Sequence, residues 1–309
     1  MNQNVIVITG PTASGKTAFT LSLAEHADIE IISADSRQVF RHLNIGTAKP
    51  LQSELDKVTH HLIDILNPDE EFNAGMFADK SVSIIHDIKK RGKVPVVTGG
   101  TGFYIKALFE GLSAVDELDK SIIYPIREKL NKQLEDEGKE SLYQILGEKD
   151  EKAAARYSDM NPRRIIRALE YIEATGKKFS DTFGMEFPSG YLPQYYVINP
   201  SRDELYKTIN KRTESMFDNG FIREVAAILE MGYDSNLNSL NTVGYKECIA
   251  FIFGDYPIDK AIELTKQNTR KYAKRQITWL NQLPSYTPLN PHDPVIFGKI
   301  LDRYSGVKK

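Results

Sequence analysis

The stretch Val5-Ile6-Val7-Ile8-Thr9-Gly10-Pro11-Thr12-Ala13-Ser14-Gly15-Lys16-Thr17 decides the fold of this 309-residue chain. Four β-branched apolar residues in a row read as a parallel strand buried on both faces. From Ala18 to His26 the apolar spacing is helical, so the glycine-rich segment between is a strand-to-helix loop. Glycines let such a loop wrap closely, so that backbone N–H groups face phosphate oxygens. The helix that follows adds the positive end of its dipole. Lys16 then reaches the terminal phosphate as a point charge, and the Thr17 hydroxyl can hold a magnesium ion beside it. Gly10, Pro11, Thr12, Ala13, Ser14, Gly15, Lys16 and Thr17 therefore form a cradle for a phosphate or diphosphate, and the motif alone does not require a nucleotide.

Outward from this loop, strands alternate with helices. Ile29-Glu30-Ile31-Ile32-Ser33 reads as a second strand ending at Asp35-Ser36. A helical segment, Phe77 to Arg91, precedes a third strand, Lys93 to Val97, which runs into Thr98-Gly99-Gly100-Thr101-Gly102. This order indicates an α/β protein with a doubly wound parallel sheet of the P-loop NTPase kind. Ligands of such sheets bind beyond the carboxyl ends of the strands, so the three strand ends should converge on one crevice. From Asp116 to Gly190 the texture is charged and helical, with Ile122–Asp136 and Asn161–Thr175 the clearest helices. Gln194 to Ile198 reads as a returning strand, and the chain beyond Arg202 as mostly helical. The expected division is a core over 1–115, a helical insertion over 116–192, and core completion with C-terminal helices over 193–309.

Composition narrows the class. An apolar share of 41% suits a globular protein, and no stretch approaches the ~20 apolar residues of a membrane span. One cysteine, Cys248, allows neither an internal disulfide nor a cysteine zinc site. The start has no signal-peptide pattern, and the expectation is a cytoplasmic protein. A net charge of −2 argues against wholesale coating by nucleic acid and leaves room for local basic surfaces.

An ordinary P-loop hydrolase carries a second strand ending in a magnesium-supporting aspartate. Here the comparable acid is Asp35, which by position can be a magnesium supporter, a general base or a helix N-cap. Asp35-Ser36-Arg37-Gln38-Val39-Phe40 with Leu43-Asn44-Ile45-Gly46-Thr47-Ala48-Lys49-Pro50 resembles a signature of the tRNA dimethylallyltransferases, also called tRNA isopentenyltransferases. The P-loop matches that family at every position from Gly10 to Thr17. His60-His61-Leu62-Ile63-Asp64, Gly99-Gly100-Thr101-Gly102-Phe103-Tyr104, Asn161 to Glu170, and Val243-Gly244-Tyr245-Lys246-Glu247 continue the series. The resemblance spans Val5 to about Leu283. Phe40 stands where many members have tyrosine, and Thr59 where proline is common.

The resemblance implies transfer of a dimethylallyl group from dimethylallyl diphosphate to the exocyclic N6 amine of the adenosine beside the tRNA anticodon. It gives the P-loop the diphosphate of the prenyl donor, with Mg2+ at Thr17. Asp35 takes the place of the general base, Thr101 of a residue touching donor and adenine together, and Arg212 of an arginine reaching the diphosphate. Lys16 joins them in catalysis as the cation on the leaving group. The anticodon loop is expected against Asp35, Ser36, Arg37, Gln38 and Thr101, and also against Gly244, Tyr245 and Lys246.

Further tRNA contacts are expected from two basic clusters. One is Arg163, Arg164 and Arg167. The other lies in the stretch Lys266 to Leu280, where a wheel at ~100° per residue gathers Tyr272, Ala273, Ile277, Trp279 and Leu280 on one arc. Arg270, Lys271, Lys274 and Arg275 fall opposite, either a solvated face or a phosphate-contacting one. His60 and His61 point to different sides of any regular element and are expected to pack a loop. The site is expected complete in a monomer. Rival readings are an adenylate isopentenyltransferase acting on free nucleotide, a P-loop small-molecule kinase, and a non-catalytic RNA-binding NTPase switch.

Overall fold

The structure is a computed structural model that describes residues 3–111, 118–183, 189–291, 293 and 295–305. It divides into two compact units, Met1–Phe109 with Ser189–Lys309, and Glu110–Pro188.

In the first unit, β1 (Asn4–Thr9) leads through the glycine-rich loop into α1 (Lys16–Ala24), followed by β2 (Ile29–Ser33). A single helical turn α2 (Gln52–Leu55) and the two-residue β3 (His60–His61) precede α3 (Ala74–Lys90), β4 (Val94–Gly99) and α4 (Gly102–Glu110). Asn73 caps α3 by accepting the Met76 N–H, which is why that helix begins ahead of the apolar spacing at Phe77. The six-stranded sheet has β1 at its centre, hydrogen-bonded in parallel to β4 on one side and β5 (Leu192–Val197) on the other. β2 and then β3 extend the β4 side, and β6 (Thr287–Pro288) closes the β5 side. Every pairing is parallel, so all carboxyl ends lie on one edge, as the strand–helix alternation requires.

Val5, Ile6, Val7 and Ile8 are fully buried. Helices α8 (Arg202–Asp218), α9 (Phe221–Glu230), α10 (Tyr245–Ile252) and α11 (Ile258–Leu280) follow β5, with α12 (Ile296–Ser305) near the chain end. α12 buries Ile296 and Ile300 against the Phe19–Leu23 face of α1 and the β1 side chains.

The second unit comprises α5 (Lys120–Lys149), α6 (Glu151–Arg156), α7 (Pro162–Thr175) and a short 3-10 turn, Phe179–Thr182. α5 is interrupted at Gly138, whose φ of 82° is left-handed. Its core joins Leu130, Leu142, Leu146, Ile165, Leu169 and Phe179. Glu170 is buried there and held by Arg127 through two hydrogen bonds. The expected boundary at 115/116 falls in residues 112–117, outside those described. The expected boundary at 192/193 is placed too late, because Leu192 is already paired with Asn4 as the first residue of β5.

Central burial sets the stability. Ile6→Ala removes a branched side chain from a site with no solvent contact and should cost about 3 kcal/mol, measured as a lowered midpoint in urea unfolding.

Candidate functional site

The loop leaving β1 closes on itself. Ser14 N–H donates to Pro11 O at 3.3 Å, Ala13 is held at φ 64°, and Gly15 takes φ 90° as the residue before α1. A left-handed Ala is strained by about 1 kcal/mol or more, and it turns successive N–H groups inward. Gly10 is required by proximity, since a Cβ there would strike the Ile198 carbonyl at the end of β5. Lys16 Nζ donates to Gly10 O at 3.0 Å and Pro11 O at 2.7 Å, folding back over its own loop. The Ser14 hydroxyl is buried and has no hydrogen-bond partner among the described residues.

A cavity of about 480 Å³ opens over this loop, lined by Thr12 to Ala18, Asp35, Gln38, Lys49, His60, Arg212, Tyr272 and Gln276. A second, of about 290 Å³, is lined by Ser36, Arg37, Thr242, Gly244, Lys246 and Arg275. Thr12, Ala13, Asp35, Thr47, Arg212 and Tyr272 line both. Asp35 therefore stands where the chamber over the glycine-rich loop meets one rimmed by Arg37, Lys246 and Arg275.

The electrostatics of the first chamber favour an anion. Burial pushes the Lys16 ammonium down to about 7, the neighbouring Arg212 acts in the same direction, and Asp35 opposes both. Arg212, on α8, points inward rather than to bulk water, with Nη1 3.5 Å from Thr12 Oγ1. A diphosphate would relieve the repulsion between these two cations.

Asp35 follows β2 and its Oδ1 accepts N–H bonds from Arg37 at 2.8 Å and Gln38 at 3.3 Å. It thus caps the 36–39 turn with one oxygen, and the capping and chemical readings are compatible. The turn after β4 lies alongside: Thr101 N–H donates to Ala34 O, and Thr101 Oγ1 accepts the Ser36 N–H at 3.1 Å. Tyr272 lies beside the Thr101 hydroxyl, and burial with the Asp35 charge pushes its phenol up to about 12. Thr101 is thus adjacent to Asp35 but is not among the residues lining either chamber.

Several residues expected against RNA also make bonds within the protein. Gln38 accepts from Ser33 Oγ and donates to Thr47 O and Ala48 O. Tyr245 is fully buried, its hydroxyl on Glu224 and its ring against Phe221. Gly244 donates its N–H to Glu247, and a φ of 91° explains the glycine. Arg37 Nη1 donates to Asn238 O, Arg167 pairs with Glu170, and Arg270 pairs with Asn210 and Glu263. Arg164 pairs with Asp159 on the surface, while Arg163, Lys246 and Lys274 are exposed.

The histidines are packing groups: His60 Nδ1 bonds Val58 O and His61 bonds the buried Glu30. Among the described residues no cluster of three His, Cys, Asp or Glu could hold a metal. No helix among them is long and apolar enough to cross a membrane. Phe40 is buried, where a phenylalanine ring needs no hydrogen-bond partner.

Two organising residues escape the sequence reading. Glu224 accepts N–H bonds from Asn44, Ile45 and Gly46, holding the signature loop against α9. Gln276 is buried on α11 and bonds both the P-loop and the turn after β4. Only a polar residue within an apolar helical stripe could have signalled Gln276. Nothing local could have signalled Glu224.

Comparison with known proteins adds to this geometry. The family model described as IPP transferase matches residues 38–283. The tRNA dimethylallyltransferase of Lachnoclostridium phytofermentans is 41% identical over 284 residues, covering 91% of this chain and 89% of that protein. The tRNA delta(2)-isopentenylpyrophosphate transferase of Staphylococcus epidermidis superposes with a TM-score of 0.70 at 35% identity, over 99% of each chain. A eukaryotic dimethylallyltransferase described as acting on tRNA superposes with a TM-score of 0.80 at 26% identity, over 98% of this chain and 77% of its own.

The depressed Lys16 makes a thermodynamic signature. Above pH about 7 the amine is largely neutral in the ligand-free chamber, and an anion restores its charge, so binding takes up a proton. Calorimetry at pH 8 in two buffers of different ionisation enthalpy should give a net uptake for inorganic diphosphate that exceeds that of Lys16→Gln by up to about one proton. The excess should shrink toward pH 6.

Proposed function

The chain belongs to the IPP transferase family, and on that premise we propose that it is a tRNA dimethylallyltransferase. It transfers a dimethylallyl group from dimethylallyl diphosphate to the N6 amine of the adenosine that follows the anticodon, giving N6-dimethylallyladenosine and diphosphate. The observation that carries the residue roles is the position of Asp35 between the two chambers.

The donor diphosphate lies in the first chamber, against the N–H groups of the Ala13–Thr17 segment, Lys16 and Arg212. The buried, unpartnered Ser14 hydroxyl supports an oxygen-rich ligand there. An allylic C–O bond ionises most readily when the departing charge meets fixed cations and N–H dipoles, which cost no reorganisation during reaction. The adenine comes through the second chamber. Stacked in the anticodon loop its amine is out of reach, so the base is flipped out at a cost of a few kcal/mol. N6 then bonds to the allylic carbon as the C–O bond breaks, the electron pair leaves on the diphosphate, and Asp35 accepts the N6 proton. The Thr101 hydroxyl, which accepts the Ser36 N–H, keeps the Asp35 turn in register with the strand end that carries it.

Mg2+ fits this set as a ligand of Thr17, with diphosphate oxygens and water completing its shell, because hard cations of that size keep few protein ligands. When bound it supplies further neutralisation of the leaving group. The exposed Arg163, Lys246 and Lys274 are available to tRNA phosphates. tRNA as substrate supports a cytoplasmic setting, and the protein is proposed to act as a monomer.

The deciding experiment incubates the protein with unmodified tRNA, labelled dimethylallyl diphosphate and Mg2+, beside tubes in which AMP replaces tRNA or ATP replaces the donor. Label should appear on tRNA alone. Label confined to AMP would indicate the free-nucleotide enzyme, and phosphate transfer from ATP a kinase. Asp35→Ala should lower single-turnover transfer by about 10²–10⁴-fold while tRNA affinity by filter binding stays within threefold. A near wild-type rate would remove Asp35 as the base.

A further inference from the structure

We infer that Gln276 is a positioning residue for prenyl transfer, setting the distance between the diphosphate cradle and the strand end that carries the acceptor-side groups. The inference rests on the prenyltransfer reading above and concerns a side chain to which that chemistry assigns no role.

Gln276 is 7% exposed on the inner face of α11. Its Oε1 accepts the Thr12 N–H at 2.7 Å, and its Nε2 donates to Gly100 O at 2.9 Å. One amide thus ties together two loops that follow different strands, the P-loop after β1 and the turn after β4. Neither the parallel ladder nor any loop hydrogen bond does this directly at Thr12, since the β1–β4 register ends at Thr9 and Gly99.

The rest of the same helix face keeps the amide in place. Tyr272, one turn earlier, lies beside the Thr101 hydroxyl. Trp279 occupies the space where a Cβ on Gly102 would lie, and a Cβ on Gly100 would run into the Gln276 amide. α11 therefore touches the turn at three positions, i, i+4 and i+7, which share one face of a helix.

The consequences reach both substrates. The Thr12 N–H is taken by Gln276, which orients the Thr12 hydroxyl toward Arg212 and leaves the later N–H groups of the loop for the anion. On the other side Gly100 is followed by Thr101, whose hydroxyl holds the Ser36 N–H beside Asp35. A shift of either loop by an ångström would change the line from leaving oxygen through the allylic carbon to N6, and in-line displacement tolerates that poorly. Reactivity should suffer more than substrate affinity.

The test uses purified full-length protein, donor and tRNA, with single-turnover rate, tRNA affinity, inorganic diphosphate affinity and melting temperature measured for each variant. Gln276→Leu loses both hydrogen bonds and should reduce the transfer rate about tenfold or more. Its tRNA affinity should be unchanged, and its diphosphate affinity severalfold weaker. Gln276→Glu adds a readout that a merely structural role would not move. As the neutral acid it still accepts from Thr12 and donates to Gly100 O, whereas as the carboxylate it cannot donate. Its rate relative to wild type should rise as pH falls from 8.5 to 6, and the Gln276→Leu ratio should stay flat.

Gly100→Ala should depress the rate by displacing the amide, and its effect should largely vanish in a Gln276→Ala background. A Gln276→Leu protein with wild-type rate, a flat Gln276→Glu profile, or strictly multiplicative Gly100 and Gln276 effects would overturn the inference. If Gln276→Leu does not fold, the Gln276→Glu profile decides alone. A wild-type protein that transfers nothing would refute prenyl transfer instead, while the diphosphate affinities would still report whether Gln276 sets the cradle.

Discussion

The parallel pairing of β1 between β4 and β5 is the constraint on which the site depends. β1 is buried on both faces, so its backbone polar groups are satisfied only by neighbouring strands. That pairing puts the P-loop, the Gly99–Gly102 turn and Ile198 on one edge. The close approach of Gly10 to Ile198 and of Gly99 to Ala34 follows from the same packing, since adjacent strands lie about 4.8 Å apart. Glycine at these places is a demand of the sheet as much as of the phosphate.

Around this frame the charges divide into two kinds. Lys16 and Arg212 face the first chamber, with Asp35 nearby to offset them. They are held in the ligand-free protein at an electrostatic cost that an anion would relieve. Glu224 and Asp64 are used differently: Glu224 collects three backbone N–H groups of the signature loop, and Asp64 pairs with Lys49. Those carboxylates restrain a loop with little regular structure. The loop in turn lines both chambers through Thr47.

The strands, the P-loop and the Asp35 turn were readable because each rests on a local pattern: a β-branched run, glycines at fixed spacing, a polar stop. The amphipathic reading of Lys266 to Leu280 placed Ala273 and Leu280 on the buried face. It treated Tyr272 as packing and passed over Gln276. Gln276 has no local role, since both its partners lie more than 170 residues away. Gln38, Tyr245 and Arg270, expected against RNA, also hold the protein's own loops and helices together. Motif membership marks a residue as required without saying whether it faces ligand or scaffold.

By itself, then, the sequence determined a parallel α/β core with a glycine-rich loop after its first strand, and through its ordered motifs the family to which the chain belongs. These are properties of short segments, where backbone sterics and period decide the outcome. Only the tertiary structure decided that Asp35 stands at the junction of two chambers. It also decided that Glu224 holds the signature loop and that one amide on α11 joins the two strand ends. Those facts depend on which distant backbones the packing of β1 brings within hydrogen-bond reach, and no local pattern encodes that.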